Sequence, residues 1–271
     1  MLIEMLNMLE RFDLAAMGHN STDYIRTVTE VMKRATSDKD NFIGDPNFVD
    51  VPVARLTDKQ YAAQLSDAIL RGERASVERF RKAESSNTTH VSVVDGEGNA
   101  VSMTHSLGMP SGVITEGLGF MYNGCMGVFD PRPGRVDSLA PGKSRFSSLC
   151  PTIVFQNDEP YLVIGAPGGT QIAMGVLQAM LNVIDFDMDM QQAVQAPRFS
   201  ATSDTIDVSN RIPDYTVRPL REMGYTVQRL PTGFAFALVH GIQSVRGMMN
   251  GGADPGGDGV ALLVEPGDVV G

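Results

Sequence analysis

Asn87-Thr88-Thr89-His90 places hydroxyl residues where a small, polar stretch meets an alternating apolar one. A threonine hydroxyl is a poor nucleophile without a base beside it. If the bond before Thr88 is cut, the residue's own α-amine becomes that base. Its pKa of roughly 7.7–8 leaves a useful neutral fraction near pH 7. The alternative is that Thr88 and Thr89 merely open a strand, where threonine is common. Gly165-Ala166-Pro167-Gly168-Gly169-Thr170 lies between a strand-like and a helix-like run. Adjacent Gly168 and Gly169 let N–H groups face one point at the positive end of a helix, which suits an oxyanion. A tight strand–helix turn reads the same way. No Lys-Ser/Thr follows, and the full GxGxxG pattern is missing, so a phosphate or dinucleotide loop is not indicated. Ser147 and Ser148 put paired hydroxyls beside Lys143 and Arg145, a pattern for a carboxylate or for a solvated turn.

Other reactive types are scattered. His19, His90, His105 and His240 show no ligand spacing, and His90 and His105 read as packing or hydrogen-bonding groups. The alternating acids from Ile184 to Met190 lack the central glycine and distal glutamate of a calcium loop, so a solvated face or helix cap is expected. Cys125 and Cys150 stand alone, with no CxxC or HExxH, which predicts neither a disulfide framework nor a zinc site. No metal or cofactor is expected. The methionines read as core filler.

The elements that must position these groups change in character near residue 87. Upstream, helical signals dominate: Leu2 to Ala16, Tyr24 to Ala35 behind the capping cluster Ser21-Thr22-Asp23, and Asp58 to Arg71 capped by Thr57. Phe42 to Val53 reads as a loop, and Ala83 to Asn87 as an exposed linker. Downstream, Thr89 to Asp95 and Asn99 to His105 alternate around Gly96-Glu97-Gly98, a hairpin signal. Gly117 to Asn123 is a further strand, Asp130 to Lys143 a loop, and Thr152–Gln156 with Tyr161–Gly165 a second hairpin around Asn157-Asp158. Helices follow at Gln171–Ile184, Asp189–Ala196 and Arg218–Met223. Strands are predicted at Thr226–Leu230, Phe234–His240 and Val260–Val264, with a glycine-rich loop from Gly251 to Gly259. No internal repeat is visible. Hairpin-connected strands with helices before and after them predict an α+β fold of mainly antiparallel sheets covered by helices.

Length and composition set the outer limits. The 271 residues, 42 % apolar and 20 % charged, suffice for one large domain or two modest ones and argue against disorder. A net charge of −10 without a polybasic run disfavours nucleic acid as a partner. No apolar stretch is long enough for a membrane span, and Met1 to Arg11 does not read as a signal peptide. The compartment, periplasmic or cytoplasmic, stays open.

Taken together, the TTHVSVVDGEGNAVSMTHSL, SSLCPTIV and GAPGG segments resemble the catalytic subunit of the gamma-glutamyltranspeptidase family from about Thr88 to Gly259; Ala196-Pro197-Arg198-Phe199 and Asp254-Pro255 match too. Residues 1–87 resemble the end of that family's large subunit, and 88–271 its small, catalytic one. The resemblance implies the N-terminal-nucleophile hydrolase fold, a four-layer αββα sandwich, incomplete upstream here. It implies a zymogen that cuts itself between Asn87 and Thr88 and then cleaves a γ-amide, as in glutathione metabolism, through an acyl-enzyme resolved by water or an acceptor amine. Ser106 would hydrogen-bond the nucleophile, Gly168 and Gly169 would hold the oxyanion, and Ser147 and Ser148 would meet the substrate's α-carboxylate.

The match breaks at three positions. Gly108 replaces a family asparagine. Gly124-Cys125-Met126-Gly127-Val128-Phe129 stands where the family has Asn-Gln-Met-Asp-Asp-Phe, so Cys125 takes the place of the glutamine. Val128 takes that of the aspartate that pairs the substrate's α-ammonium. Asp130, two residues on, is the candidate replacement. These changes imply an amidase or acylase for γ-glutamyl or another small acid. A non-catalytic binding or assembly subunit is the alternative. The expected partners are a small amide and an upstream large-subunit segment or chain, with homo-oligomerisation left open.

Overall fold

The computed structural model describes residues 1–77 and 87–264. Of the expected linker, only Asn87 falls among them. Helix α1 (Leu2–Leu9) buries Met5, Met8 and Leu9. The apolar run continues, but the helix does not: Asp13 caps a second one, α2 (Leu14–Met17), by accepting from the Ala16 N–H. A cap starts a new helix because it satisfies N–H groups that the first turn leaves unpaired. Ser21 does the same for α3, which extends well past Ala35 (Thr22–Phe42). A short α4 (Val53–Leu56) precedes α5 (Lys59–Leu70). The cap of α5 is Asp58, which accepts from the Tyr61 N–H at 2.8 Å. Thr57, expected in that role, instead turns its hydroxyl back to the Val53 carbonyl.

Strands β1 (Thr88–Val94) and β2 (Ala100–Ser106) form the expected hairpin. Its turn is tied by the Asp95 carboxylate, which accepts from the Glu97 and Asn99 backbone and from the Asn99 side chain. A smaller hairpin joins β3 (Pro110–Ile114) to β4 (Met121–Asn123). The main sheet is antiparallel, in the order β11-β10-β6-β5, with β5 (Thr152–Gln156), β6 (Glu159–Gly165), β10 (His240–Val245) and β11 (Met248–Ala253). Asn157 and Asp158 both have positive φ, as the two-residue turn between β5 and β6 requires. Helices α6 (Ile172–Ile184) and α7 (Met190–Gln195) follow, and α8 (Asp214–Glu222) links the small β7 (Phe199–Ser200), β8 (Thr205–Val208) and β9 (Thr226–Arg229), of which β8 and β9 run parallel.

Two strand expectations and one loop expectation are corrected. Phe234–His240 is loop up to His240, where β10 begins; Phe236, Ala237 and Val239 are apolar because that loop is buried. The first glycines of the expected loop belong to β11, since a β-carbon on Gly252 would stand 2.5 Å from the Met190 carbonyl oxygen. Val260–Val264 is exposed and not a strand.

The layers follow from which way β6 points its side chains. Leu162 and Ile164 pack into a core with Ile172, Val176 and Met180 of α6. The opposite face of the sheet meets the β1–β2 hairpin. The order is helices, main sheet, second sheet, and the fold class is the expected one of helices over mainly antiparallel sheets. A second core joins Met5, Met8, Ile25 and Met32 from the upstream helices to Met174, Leu177, Phe199 and Leu220. Residues on both sides of position 87 therefore share one apolar interior.

Candidate active site

The hairpin has an inverted polarity. Its inward positions are Thr88, His90, Ser92 and Val94 of β1 and Ala100, Ser102, Thr104 and Ser106 of β2, polar except for the pair next to the turn, while Val91, Val93, Val101 and Met103 are exposed on its outer face. Strand alternation makes the inner set one row. Its place over the main sheet can be read from two contacts. Ser102 donates to the Ile164 carbonyl at 3.0 Å. One pair further along, the His90 ring lies against Gly165. The next pair on that face is Thr88 with Ser106, which brings both hydroxyls toward the turn that leaves Gly165.

Thr88 Oγ1 and Ser106 Oγ are 2.8 Å apart, and the two residues face each other in the antiparallel register. Ser106 Oγ also accepts from the Gly108 N–H at 2.8 Å and reaches the Asn87 carbonyl oxygen at 3.4 Å. A hydroxyl has one proton and two acceptor sites. Ser106 can therefore accept from Gly108 and Thr88 while its own proton points at the carbonyl before Thr88. That carbonyl belongs to the bond whose cleavage would free the Thr88 amine.

The glycine turn is built to be rigid. Gly168 adopts φ +140°, which is closed to residues with a side chain, and a β-carbon there would stand 2.5 Å from Ala237 Cα. Leu238 donates to the Pro167 carbonyl, holding the 237–238 backbone along the turn. Behind it, Arg198 bonds the Ala237 carbonyl and forms a buried ion pair with Asp254. Gly169 opens a 3-10 turn that runs into α6, so the Gly168 and Gly169 N–H groups stand at the start of a thirteen-residue apolar helix.

Ser147 and Ser148 come to the same region. With Thr170, Lys39, Phe146 and Cys150 they line a cavity of about 220 Å³. Cys125 also joins the surroundings of the Thr88–Ser106 pair, beside Leu107 and Gly108. Its Sγ donates to the Leu107 carbonyl at 3.5 Å and lies 2.7 Å from where a β-carbon on residue 108 would be, so Gly108 leaves the room that the thiol fills. Asp130 is placed differently. It is clasped by Arg132 through two side-chain contacts of 2.9 and 2.7 Å. A larger cavity of about 790 Å³, lined by Asp130, Arg132, Arg135 and the end of α3, lies beside it. Neither cavity is lined by Thr88, Ser106, Gly168 or Gly169, so volume alone would misplace the chemistry. His90 hydrogen-bonds as expected, whereas Ala237, the Gly165 contact with His90 and the pairing of Arg198 with Asp254 were not marked by the sequence. Their roles depend on contacts between distant segments. Among the described residues no group of three His, Cys, Asp or Glu could hold a metal ion. No helix there is long and apolar enough to cross a membrane.

Comparison with known proteins gives concordant matches. The gamma-glutamyltranspeptidase family model matches residues 1–264. The acylase ACY 1 proenzyme of Pseudomonas sp. (strain V22) is 38 % identical over 231 residues, 84 % of this chain and 41 % of that protein. The glutathione hydrolase proenzyme of Pseudomonas aeruginosa is 34 % identical over 272 residues, 94 % of this chain and 48 % of that one. The crystal structure of cephalosporin acylase from Bacillus halodurans superposes with a TM-score of 0.82 at 26 % identity, over 98 % of this chain and 49 % of the other. The chain thus spans half or less of the length of these relatives.

Proposed function

The chain belongs to the gamma-glutamyltranspeptidase family, and on that premise we propose that it forms the catalytic part of an autoprocessing amidohydrolase or acyltransferase with Thr88 as nucleophile. The observation that carries the reading is the Thr88–Ser106 contact of 2.8 Å with the Asn87 carbonyl beside it. Thr88 Oγ1 attacks that carbonyl carbon, the C–N bond breaks as the ester forms, and water then releases Asn87 as a new carboxylate. The freed α-amine takes the hydroxyl proton in the next cycle, when Thr88 attacks the amide carbon of the substrate. Gly168 and Gly169 hold the oxyanion, a role in which one donor is worth about 10²–10³ in rate. Water or an acceptor amine resolves the acyl-enzyme.

The acyl group is that of a small acid, bound through Ser147 and Ser148, with Cys125 beside the nucleophile. Val128 cannot pair an ammonium, and the Asp130 carboxylate is clasped by Arg132. Both features favour acids without an α-ammonium over strict γ-glutamyl selectivity. The relatives are proenzymes about twice as long. A large-subunit-like segment covering Val91, Val93, Val101 and Met103 accounts for an apolar sheet face that is otherwise left in water. Residues 1–87 and 88–271 are, on this reading, the two sides of a processing point rather than separate folding units.

Intact-mass measurement on the full-length native protein tests the assignment. The chain splits between Asn87 and Thr88, and Thr88→Ala stays whole and turns over neither γ-glutamyl nor glutaryl anilides. A Thr88→Ala protein that still splits there, or that keeps its amidase activity, removes Thr88 from the mechanism.

A further inference from the structure

We propose that His90 is a positioning residue whose imidazole, wedged between the β1–β2 hairpin and Gly165, sets the spacing between the Thr88 hydroxyl and the turn that carries Gly168 and Gly169. The inference rests on the reading of Thr88 as nucleophile.

His90 follows Thr88 by two residues, on the same inward face of β1, and it is buried. Its ring is anchored at both nitrogens. Nδ1 lies 2.8 Å from Thr104 Oγ1 on β2, and Nε2 lies 3.0 Å from Ser92 Oγ on β1. The anchors sit on both strands of the hairpin, so the ring cannot swing without breaking one of them. Its other side rests on the main sheet. A β-carbon on Gly165 would stand 2.3–2.8 Å from three ring atoms. Only a residue without a side chain admits the ring there. Gly165 is the last residue of β6 and the first of the turn to Gly168. One rigid plane therefore touches both halves of the site: the hairpin that presents the nucleophile and the strand that feeds the oxyanion turn.

The ring is placed to hold rather than to transfer protons. Its two nitrogens face hydroxyls, each of which can donate or accept and so answers either tautomer of a neutral imidazole. Burial, and then the nearby His240, pushes its titration down to about 4. His240 of β10 pairs in register with Gly165, so a second imidazole stands beside the same point of the sheet. A shift of about 1 Å at a reacting pair can cost about 10²-fold in rate, which is the scale on which a wedge matters.

The test uses the full-length native protein and the small-acid anilide it turns over fastest. Gly165→Ala forces the ring outward. His90→Gln keeps hydrogen-bonding groups but removes the flat width. Each variant is expected to lower kcat by about 10–100-fold, per folded and processed molecule, with KM within about twofold. The double variant should lose no more than the worse single one, because both act through one contact. Unchanged kcat in the folded fraction, with only the melting temperature lowered, overturns the proposal. So do losses that multiply in the double variant, or a complete failure of both singles to fold. Thr88→Ala runs alongside: if it stays active, the nucleophile reading has failed, whereas an inactive Thr88→Ala with fully active His90→Gln sinks this inference alone.

Discussion

Gly168→Ala gives a direct measure of how firmly the turn proposed to hold the oxyanion is fixed. The glycine has φ +140°, and an alanine there carries a backbone strain of about 1–3 kcal/mol. Its new methyl would also stand 2.5 Å from Ala237 Cα and 2.6 Å from Ala237 Cβ. Neither neighbour is the free end of a long side chain, and Ala237 is pinned from behind by Arg198. Overpacking of this kind adds about 1–3 kcal/mol. The sum is a loss of about 2–6 kcal/mol, or a turn displaced from its place against Ala237. Either way the donor geometry suffers, and kcat should fall by about 10²–10³. Gly169→Ala is the graded control. Its φ of +57° lies in the left-handed region that an alanine enters at about 1–2 kcal/mol. Chemical denaturation gives the stability term, and single-turnover acylation of processed enzyme gives the rate. Adding Ala237→Gly to Gly168→Ala removes the 2.6 Å contact but not the 2.5 Å one, so rescue should be partial. A Gly168→Ala protein with normal stability and normal acylation would refute the reasoning about this turn.

Three further outcomes are expected. Arg198→Met strands the Asp254 carboxylate in the interior, which should cost about 3–5 kcal/mol. At about 2–4 °C per kcal/mol the melting temperature drops by about 6–20 °C, and the double change Arg198→Met with Asp254→Leu should be milder than either single one. Stability should change little between about pH 4.5 and 6.5, where two opposed titrations overlap, and fall on either side. His90, with an unfolded value of 6.5 and a folded one of about 4, leaves stability full above about pH 6.5 and removes about 3 kcal/mol as pH falls to about 4. Glu4, raised to about 8 by burial and then by Asp38, acts in the opposite sense, its stabilisation being complete below about pH 4.5 and lost as pH rises toward 8. Denaturation midpoints across pH 4–9 check this: His90→Gln should soften the acid limb alone, and an unaltered acid limb would count against the assignment. Finally, pieces cut at Asn87–Thr88 should co-elute in native gel filtration and part only in denaturant, because Met5, Ile25 and Met32 share a core with Leu177, Phe199 and Leu220.

The parts of this site that were legible in the sequence are those set by local chemistry. Alternation marked β1 and β2, Asn157-Asp158 marked the turn of the main-sheet hairpin, and two adjacent glycines before an apolar run marked the strand-to-helix turn into α6. What escaped depended on distant segments. The apolar run before His240 imitates a strand because it is buried against the glycine turn, where Leu238 bonds Pro167. The end of β11 imitates a loop because Gly252 must admit the α7 backbone. Asp130 was a candidate ammonium partner, yet the arginine that clasps it lies only two residues on. That pairing was readable from the Asp-Pro-Arg order alone. The His90–Gly165 contact was not, since nothing local to either residue points to the other.

The inverted polarity of the β1–β2 hairpin ties these findings together. A strand pair whose hydroxyl face points inward stabilises the fold only if that face satisfies itself. Here it does so in steps: Ser102 with the Ile164 carbonyl, His90 with Ser92 and Thr104, and Thr88 with Ser106. Each such bond contributes about 0.5–1.5 kcal/mol when made and costs more when one partner is left alone. A register slip of one residue would turn valines inward and leave the Ile164 carbonyl and Gly165 facing the wrong groups. The same ladder that excludes that slip carries Thr88 at the end of the row, opposite Ser106. On the proposed reading, placement of the Thr88 nucleophile is therefore not a separate device added to a finished sheet. It is the last rung of the hydrogen bonding that fixes the sheet's register, which is why a change at His90, one rung away, should be felt in the chemical step before it is felt in the fold.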